Sequence, residues 1–317
     1  MALTWGELVQ LLGSELSPLL DCCLRTGVAV CFSRFSALTS AFGLCCLLSA
    51  YSFVWAMVCD NYSKVDQLWS ILPAVYAWLF YAHHDAYHSR GLLVCILISL
   101  WSLRLTYNFW LKGGYGGFVR HEEDYRWPVL RRLIGSPALF FLFNLTFIAS
   151  YQNLLLLLIA LPVYGVTRGP SEVGPVDGLL TVTFLLFLCL ETAADHQHWL
   201  FQSKKLSLSP ADRARHPDPD IRDGFYQSGL FRYTRHPNYF AEQGMWACVC
   251  LFSTTRASLS ELLSPLSMGS VLLILLFQGS MAFGESISSS KYSSYRDYQR
   301  RTSQCVPWPP GPRSKIE

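Results

Sequence analysis

Six residues in one short stretch have the types and spacing for chemistry. Arg232, Arg235, His236, Asn238, Tyr239 and Glu242 lie within Gly224–Trp246, GFYQSGLFRYTRHPNYFAEQGMW. His236 precedes Pro237 and is thereby biased to an extended conformation. Pro237 suits the first turn of a helix. The free N–H groups and the dipole of a helix N-terminus attract anions. Arg235 can grip a phosphate or carboxylate through two parallel hydrogen bonds. Asn238 offers donor and acceptor, which suits an amide or a ribose, and Glu242 follows one turn later on the same face. The stretch reads as a holder for an anionic, phosphate-bearing ligand. The plainer reading is a capping cluster that only closes a helix.

The elements that must position these residues are membrane helices. The 317-residue chain is 51% hydrophobic and 15% charged, against about 25% charged in soluble domains. Several apolar runs approach the ~20 residues needed to cross a bilayer. The expected fold is all-α and polytopic, with about seven transmembrane helices and cytosolic loops closing a cofactor pocket. The seven runs are 37–58, 68–82, 91–111, 138–164, 178–201, 239–255 and 265–284. The chain then divides into an N-terminal lumenal or interfacial segment (1–36), the transmembrane domain (37–285) and a cytosolic tail (286–317). The N-terminus has no early Lys or Arg, so it does not read as a cleavable signal peptide. Its first ~20 residues suit an amphipathic helix in the interface.

Basic residues give this layout a direction. Nineteen of the 25 Lys and Arg fall on one face, five on the other (Arg25, Arg34, Arg90, Arg168, Arg256), and Arg104 lies inside the third run. The positive-inside rule makes the richer face cytosolic and the N-terminus lumenal. The sequon at Asn61 would then be cytosolic and unglycosylated. The 11 cysteines fall mostly in apolar runs, with no CxxC pair and no zinc spacing, and read as small apolar residues. No metal is expected.

Intramembrane polar groups usually face a pocket. Arg104 and Asn108, Glu191, Asp195 and His198, and Glu242 fall in the cytosolic halves of their runs, Asp66 and Gln67 precede the second run and Glu285 ends the seventh on the same face, and Gln152 is the deepest. Together they predict a cavity open to the cytosol; singly, each reads equally as a helix-end group snorkelling to water. Glu122–Trp127 mixes acids, a base and aromatic rings and suits an interfacial belt as well as a site. Tyr292, Tyr295 and Tyr298 share one helical face in the tail. They fit either an amphipathic surface helix or an aromatic cover over a nucleotide.

At these residues the chain resembles a known group. GLFRYTRHPNYFAEQGMW is similar to the signature of the steroid 5-alpha-reductase-like superfamily, and the poorly characterised steroid-oxidoreductase-like branch is the nearest match. NYSKVDQLWS, WSLRLTYNFW, EEDYRW, YQNLLLL, ETAADHQ and VPWPP resemble further segments of that branch, over roughly residues 60–310. The resemblance implies a seven-helix fold, NADPH bound from the cytosol and a lipidic substrate entering from the side. It carries Asn238 and Glu242 over as cofactor residues, with Arg235, His236 and Tyr239 in the same motif, Asp195 as a second contact and Arg104 as a basic residue of the third helix. Glu191 joins this set as a pocket residue, and Tyr295 and Tyr298 as its aromatic cover. Ala241 stands where the family has Gly. Asp66-Gln67 and Trp101 stand near the places where steroid reductases carry a Gln-Glu pair and a Tyr. Asp66 remains a catalytic candidate, with Tyr107 or Tyr125 as proton donor. Isoprenylcysteine and phospholipid methyltransferases share the R-H-P-x-Y pattern, which keeps S-adenosylmethionine as the alternative cofactor. A non-catalytic lipid-binding protein is the third reading. The expected partners are a lipidic substrate and membrane lipids, with no nucleic acid. The expected location is the endoplasmic reticulum.

Overall fold

The computed structural model describes residues 3–26, 31, 34–84, 87–115, 123–254 and 264–312. Arg120, Glu122, Arg256, Arg313 and Lys315 lie outside the described residues. Among those described there are helices and no strands. In chain order the main helices are α1 (Trp5–Thr26), α2 (Ala37–Cys59), α3 (Lys64–Trp69), α4 (Leu72–Ala82) and α5 (Ser89–Leu111). Then follow α6 (Arg126–Ile134), α7 (Pro137–Thr167) and α8 (Pro175–Ser207). The last are α9 (Pro237–Ser253), α10 (Pro265–Lys291) and α11 (Tyr295–Arg301).

Five helices are long and apolar enough to cross a membrane: α2, α5, α7, α8 and α10. The other two expected spans are shorter. α4 has 11 residues and α9 has 17, or ~16 and ~26 Å against a hydrocarbon core of ~30 Å. α4 is preceded by a break: Ser70 caps the end of α3, and α4 begins at Leu72 with Pro73 in its first turn.

The residues form two compact units, Met1–Thr181 with Trp246–Leu273, and Val182–Met245 with Ile274–Glu317. In the first, α4 packs along α7 and α5. Tyr76, Ala77 and Phe80 are buried, Phe80 meets the Tyr164 ring at 5.7 Å, and Cys95 Sγ donates to the Ala77 carbonyl at 3.4 Å. Trp101 is also core, edge-on to Trp246 at 4.8 Å. Helices in lipid associate through close approach of small residues, and Gly269 supplies it here. A Cβ on Gly269 would stand 2.3 Å from the backbone carbonyl of Leu158.

Two sequence readings change in this unit. Gln152, the deepest polar residue, accepts from Trp69 Nε1 at 2.8 Å, so its amide joins two helices. Cys22 and Cys31 form a disulfide, so Cys31 is not merely a small apolar residue. Asn61 is buried, and its side-chain oxygen accepts from the Ser63 N–H. The sequon asparagine is therefore turned into the protein.

In the second unit the tail folds back on the loop before α9. Residue Thr234 bridges to Ser303 in parallel, its hydroxyl donates to the Gln304 and Cys305 carbonyls, and Trp308 N–H donates to the Tyr233 carbonyl. Tyr295 and Tyr298 of α11 are buried around Phe225, with ring centroids 5.0 and 5.5 Å away. The Tyr298 hydroxyl donates to the Phe231 carbonyl. The aromatic face seen in the sequence thus forms a small core beneath α11.

Candidate functional site

The helix start at Pro237 is held from outside. Arg235 Nε and Nη2 donate to the two oxygens of Glu285 at 2.7 and 2.9 Å. Its Nη1 donates to the Gln299 and Thr302 carbonyls. Four of its five N–H donors are therefore used within the protein, and the pair is buried, with side chains 9% and 6% exposed. His236 Nε2 lies 2.9 Å from the same carboxylate, and Gln299 donates to its second oxygen. The His236 ring stacks on Tyr239, which in turn meets Phe277. Arg235, His236 and Tyr239 thus form one holding knot built on Glu285, 50 residues further along the chain.

One turn into α9 the chemistry changes. Asn238 Nδ2 approaches Asp195 Oδ1 of α8 at 3.4 Å. Glu242, Glu191 and Asp195 are all buried. Asp195 lies one turn beyond Glu191 on α8, and Glu242 one turn beyond Asn238 on α9, so each helix offers one polar face. Ala241 is wholly buried. Next to it, Gly244 lets the Phe187 ring of α8 approach to where a Cβ would stand. The stretch from Gly224 to Glu242 therefore has two parts, a holding knot and an acid-and-amide face. Sequence spacing alone merges them. The missing information is the partner of Arg235.

Of the remaining candidates, Arg104, Tyr107, Tyr125 and Asp66 belong to the first unit. Tyr107 and Tyr125 are both 60% exposed, and the Tyr107 ring lies beside Trp110. Asp66 is set among functional groups. Its carboxylate accepts from Trp127 Nε1 at 3.2 Å. Beside it Arg126 is paired with Asp124 at 2.8 Å, and Asp124 N–H donates to Ser63 Oγ. Lys64, Ser70 and Tyr115, which the sequence did not single out, complete this region around Gln67. Buried Lys64 donates to Gln67 Oε1 with its ammonium 4.2 Å from the Trp55 ring. Gln67 donates to the Gly114 carbonyl, and Ser70 Oγ is bonded to the Tyr115 hydroxyl. The Lys64–Gln67 spacing of three, one helical turn, is the clue the sequence did contain.

Burial raises the Asp66 carboxyl to about 6, with Arg126 opposing and Asp124 reinforcing the shift. The folded state then binds the proton more tightly than the unfolded one, whose Asp titrates near 3.8. The stability this proton confers is present below the unfolded value and is lost as pH rises through about 6. Asp66→Asn removes that loss. It is expected to stabilise the protein at pH 7.5 by at most about 3 kcal/mol and to give a smaller gain at pH 5. Thermal unfolding across pH in detergent checks this; an equal effect at both pH values would refute it.

A family model described as protein of unknown function (DUF1295) matches residues 52–302. The uncharacterized protein C594.04c of Schizosaccharomyces pombe is 34% identical over 263 residues, covering 80% of this chain and 74% of that protein. No solved structure matches.

Proposed function

The chain belongs to the DUF1295 family, which is steroid 5-alpha-reductase-like, and on that premise we propose a membrane-embedded NADPH-dependent reductase. Its substrate is a sterol, isoprenoid or other lipid with an activated C=C bond. The observation that carries this reading is the buried acid-and-amide face of Glu191, Asp195, Asn238 and Glu242. Carboxylates accept from hydroxyls and amide N–H groups, and Asn238 can both accept and donate. This set fits the carboxamide and ribose hydroxyls of a nicotinamide riboside. It does not fit phosphate, and Arg235 has given its donors to Glu285 and the tail. Phosphate contacts in this reading fall to other basic residues.

When bound, the cofactor supplies a hydride. The chain's own residues hold and orient it, and they supply the proton that completes addition across the C=C bond.

The site faces the cytosol in this reading and the bundle crosses the membrane seven times, with α9 as a short sixth span. The charge split and the Cys22–Cys31 disulfide support a lumenal N-terminus, since disulfides persist in oxidising compartments. The endoplasmic reticulum supplies such a lumen.

One titration tests the reading. Purified protein in detergent is expected to bind NADPH, and Asn238→Ala and Glu242→Ala are each expected to weaken that binding at least ~10-fold, the loss of one good buried hydrogen-bonding group. Binding of S-adenosylmethionine in its place would replace reduction by methyl transfer. Of the two alternatives, the acid-rich face favours methyl transfer, because carboxylates suit a sulfonium cation. Binding of neither would leave a lipid-binding protein without catalysis.

A further inference from the structure

The helix α1 is divided lengthwise into three strips. At ~100° per residue, Leu11, Glu15, Leu19 and Cys22 share the first, which is docked. Leu19 is buried. The Glu15 carboxylate accepts from Ser36 N–H, Ser36 Oγ and Thr39 Oγ1 at 3.2, 2.7 and 2.6 Å. Cys22 is bonded to Cys31. The second strip is apolar and open: Trp5, Val9, Leu16, Leu20 and Leu24 are 46, 67, 37, 63 and 80% exposed. The third, turned away from both, carries Gln10, Ser14, Ser17 and Asp21.

One hydrogen-bonded contact, Glu15 with Ser36 and Thr39, and one longer-range charge interaction place this helix. Ser36 caps the N-terminus of α2, where that membrane-length helix begins. Glu7 lies within electrostatic reach of Arg168, the residue that caps the C-terminal end of α7. Glu7 and Glu15 are eight residues apart, or ~12 Å along the axis. The helix α1 therefore runs across the ends of two membrane-length helices at one face of the bundle.

We propose that α1 is an interfacial anchor that seats Trp5, Val9, Leu16, Leu20 and Leu24 at the headgroup–acyl boundary of the leaflet where α2 begins. An amphipathic helix at that depth buries its apolar strip in lipid and leaves its polar strip in water, and a Trp near its end suits the interface. The charge of the helix selects the lipid. Glu7, Glu15 and Asp21 outnumber Arg25, so an anionic surface repels it and a zwitterionic leaflet accepts it. The disulfide ties the far end of α1 to the chain just before α2 and keeps the strip seated. This inference stands apart from the nicotinamide reading.

The test uses the intact protein in phosphatidylcholine vesicles. A phospholipid with a diazirine in its acyl chain is photolysed, and a parallel sample meets hydroxyl radicals from the water. Mass spectrometry then maps adducts on residues 3–26. Carbene adducts are expected several-fold more often on Trp5, Leu16, Leu20 and Leu24 than on Gln10, Ser14 and Ser17, and hydroxyl-radical oxidation should show the reverse. Leu20→Glu with Leu24→Glu should remove most α1 adducts while those on α5 persist, which shows the bundle intact. Labelling should fall when phosphatidylserine replaces part of the phosphatidylcholine. Water-borne oxidation of Leu20 and Leu24 at the level of the polar strip would overturn the anchor, as would α1-to-α1 cross-links between two copies in place of lipid adducts. Labelling indifferent to phosphatidylserine would overturn the choice of lipid.

Discussion

Arg235→Ala is expected to destabilise the protein by about 3–5 kcal/mol, the cost of leaving one member of a buried ion pair alone. The loss is larger than a surface pair would give, because both side chains are nearly buried and the arginine also satisfies two tail carbonyls. Glu285 would keep only His236 and Gln299. The tail segment beside Thr234 would lose the bonds that press it to the loop. Arg235→Lys retains the charge and loses the paired geometry, so it should fall between wild type and alanine. Thermal unfolding in detergent reads the ranking, and limited proteolysis reads early release of the tail. If alanine at 235 left both unchanged, the knot would not be holding the helix start.

The second large effect is expected at Gly269. Glycine to alanine within a helix usually helps, by up to ~1 kcal/mol. Here the sign should reverse. The new methyl would meet the Leu158 carbonyl carbon and oxygen at 2.3 Å and the Ile159 nitrogen at 2.5 Å, all backbone atoms. No rotamer change relieves that contact, so α10 must move off α7. Overpacking of this kind costs about 1–3 kcal/mol and more when backbone blocks the space. Gly165→Ala is the graded comparison, since its nearest atom is the Leu266 side chain at 2.6 Å, which can turn aside. Gly279→Ala, on the same helix as Gly269 with nothing within 4 Å, should be neutral or stabilising. Thermal unfolding of the three variants, each measured in detergent, would reveal that order. Equal behaviour at 269 and 279 would refute the close approach.

What the sequence disclosed depended on the range of the interaction. The membrane helices were legible because hydrophobicity is a local property, and five of the seven expected runs are long enough to cross a membrane. The density of polar residues around Arg235 was legible for the same reason. Its partner was not. Glu285 reads only as an acid at a helix end until the chain brings it back across 50 residues. Gln152 read as a lone deep amide because Trp69, 83 residues earlier, gives no local sign that its indole will point there. Tyr295 and Tyr298 declared an aromatic face, and periodicity could not tell whether a ligand or Phe225 would lie under it. Cys22 and Cys31 looked like small apolar residues because their pairing depends on how the chain turns after α1.

The order in which the chain is made gives the holding knot a further meaning. Arg235 leaves the ribosome well before the groups that receive it: Glu285 follows 50 residues later, and the Gln299 and Thr302 carbonyls 64 and 67 residues later. Until then the start of α9 carries an unmatched guanidinium at the rim of the insertion machinery. A premature stop after α10 would leave all of the long apolar helices in place and still remove the two tail carbonyls that receive Arg235.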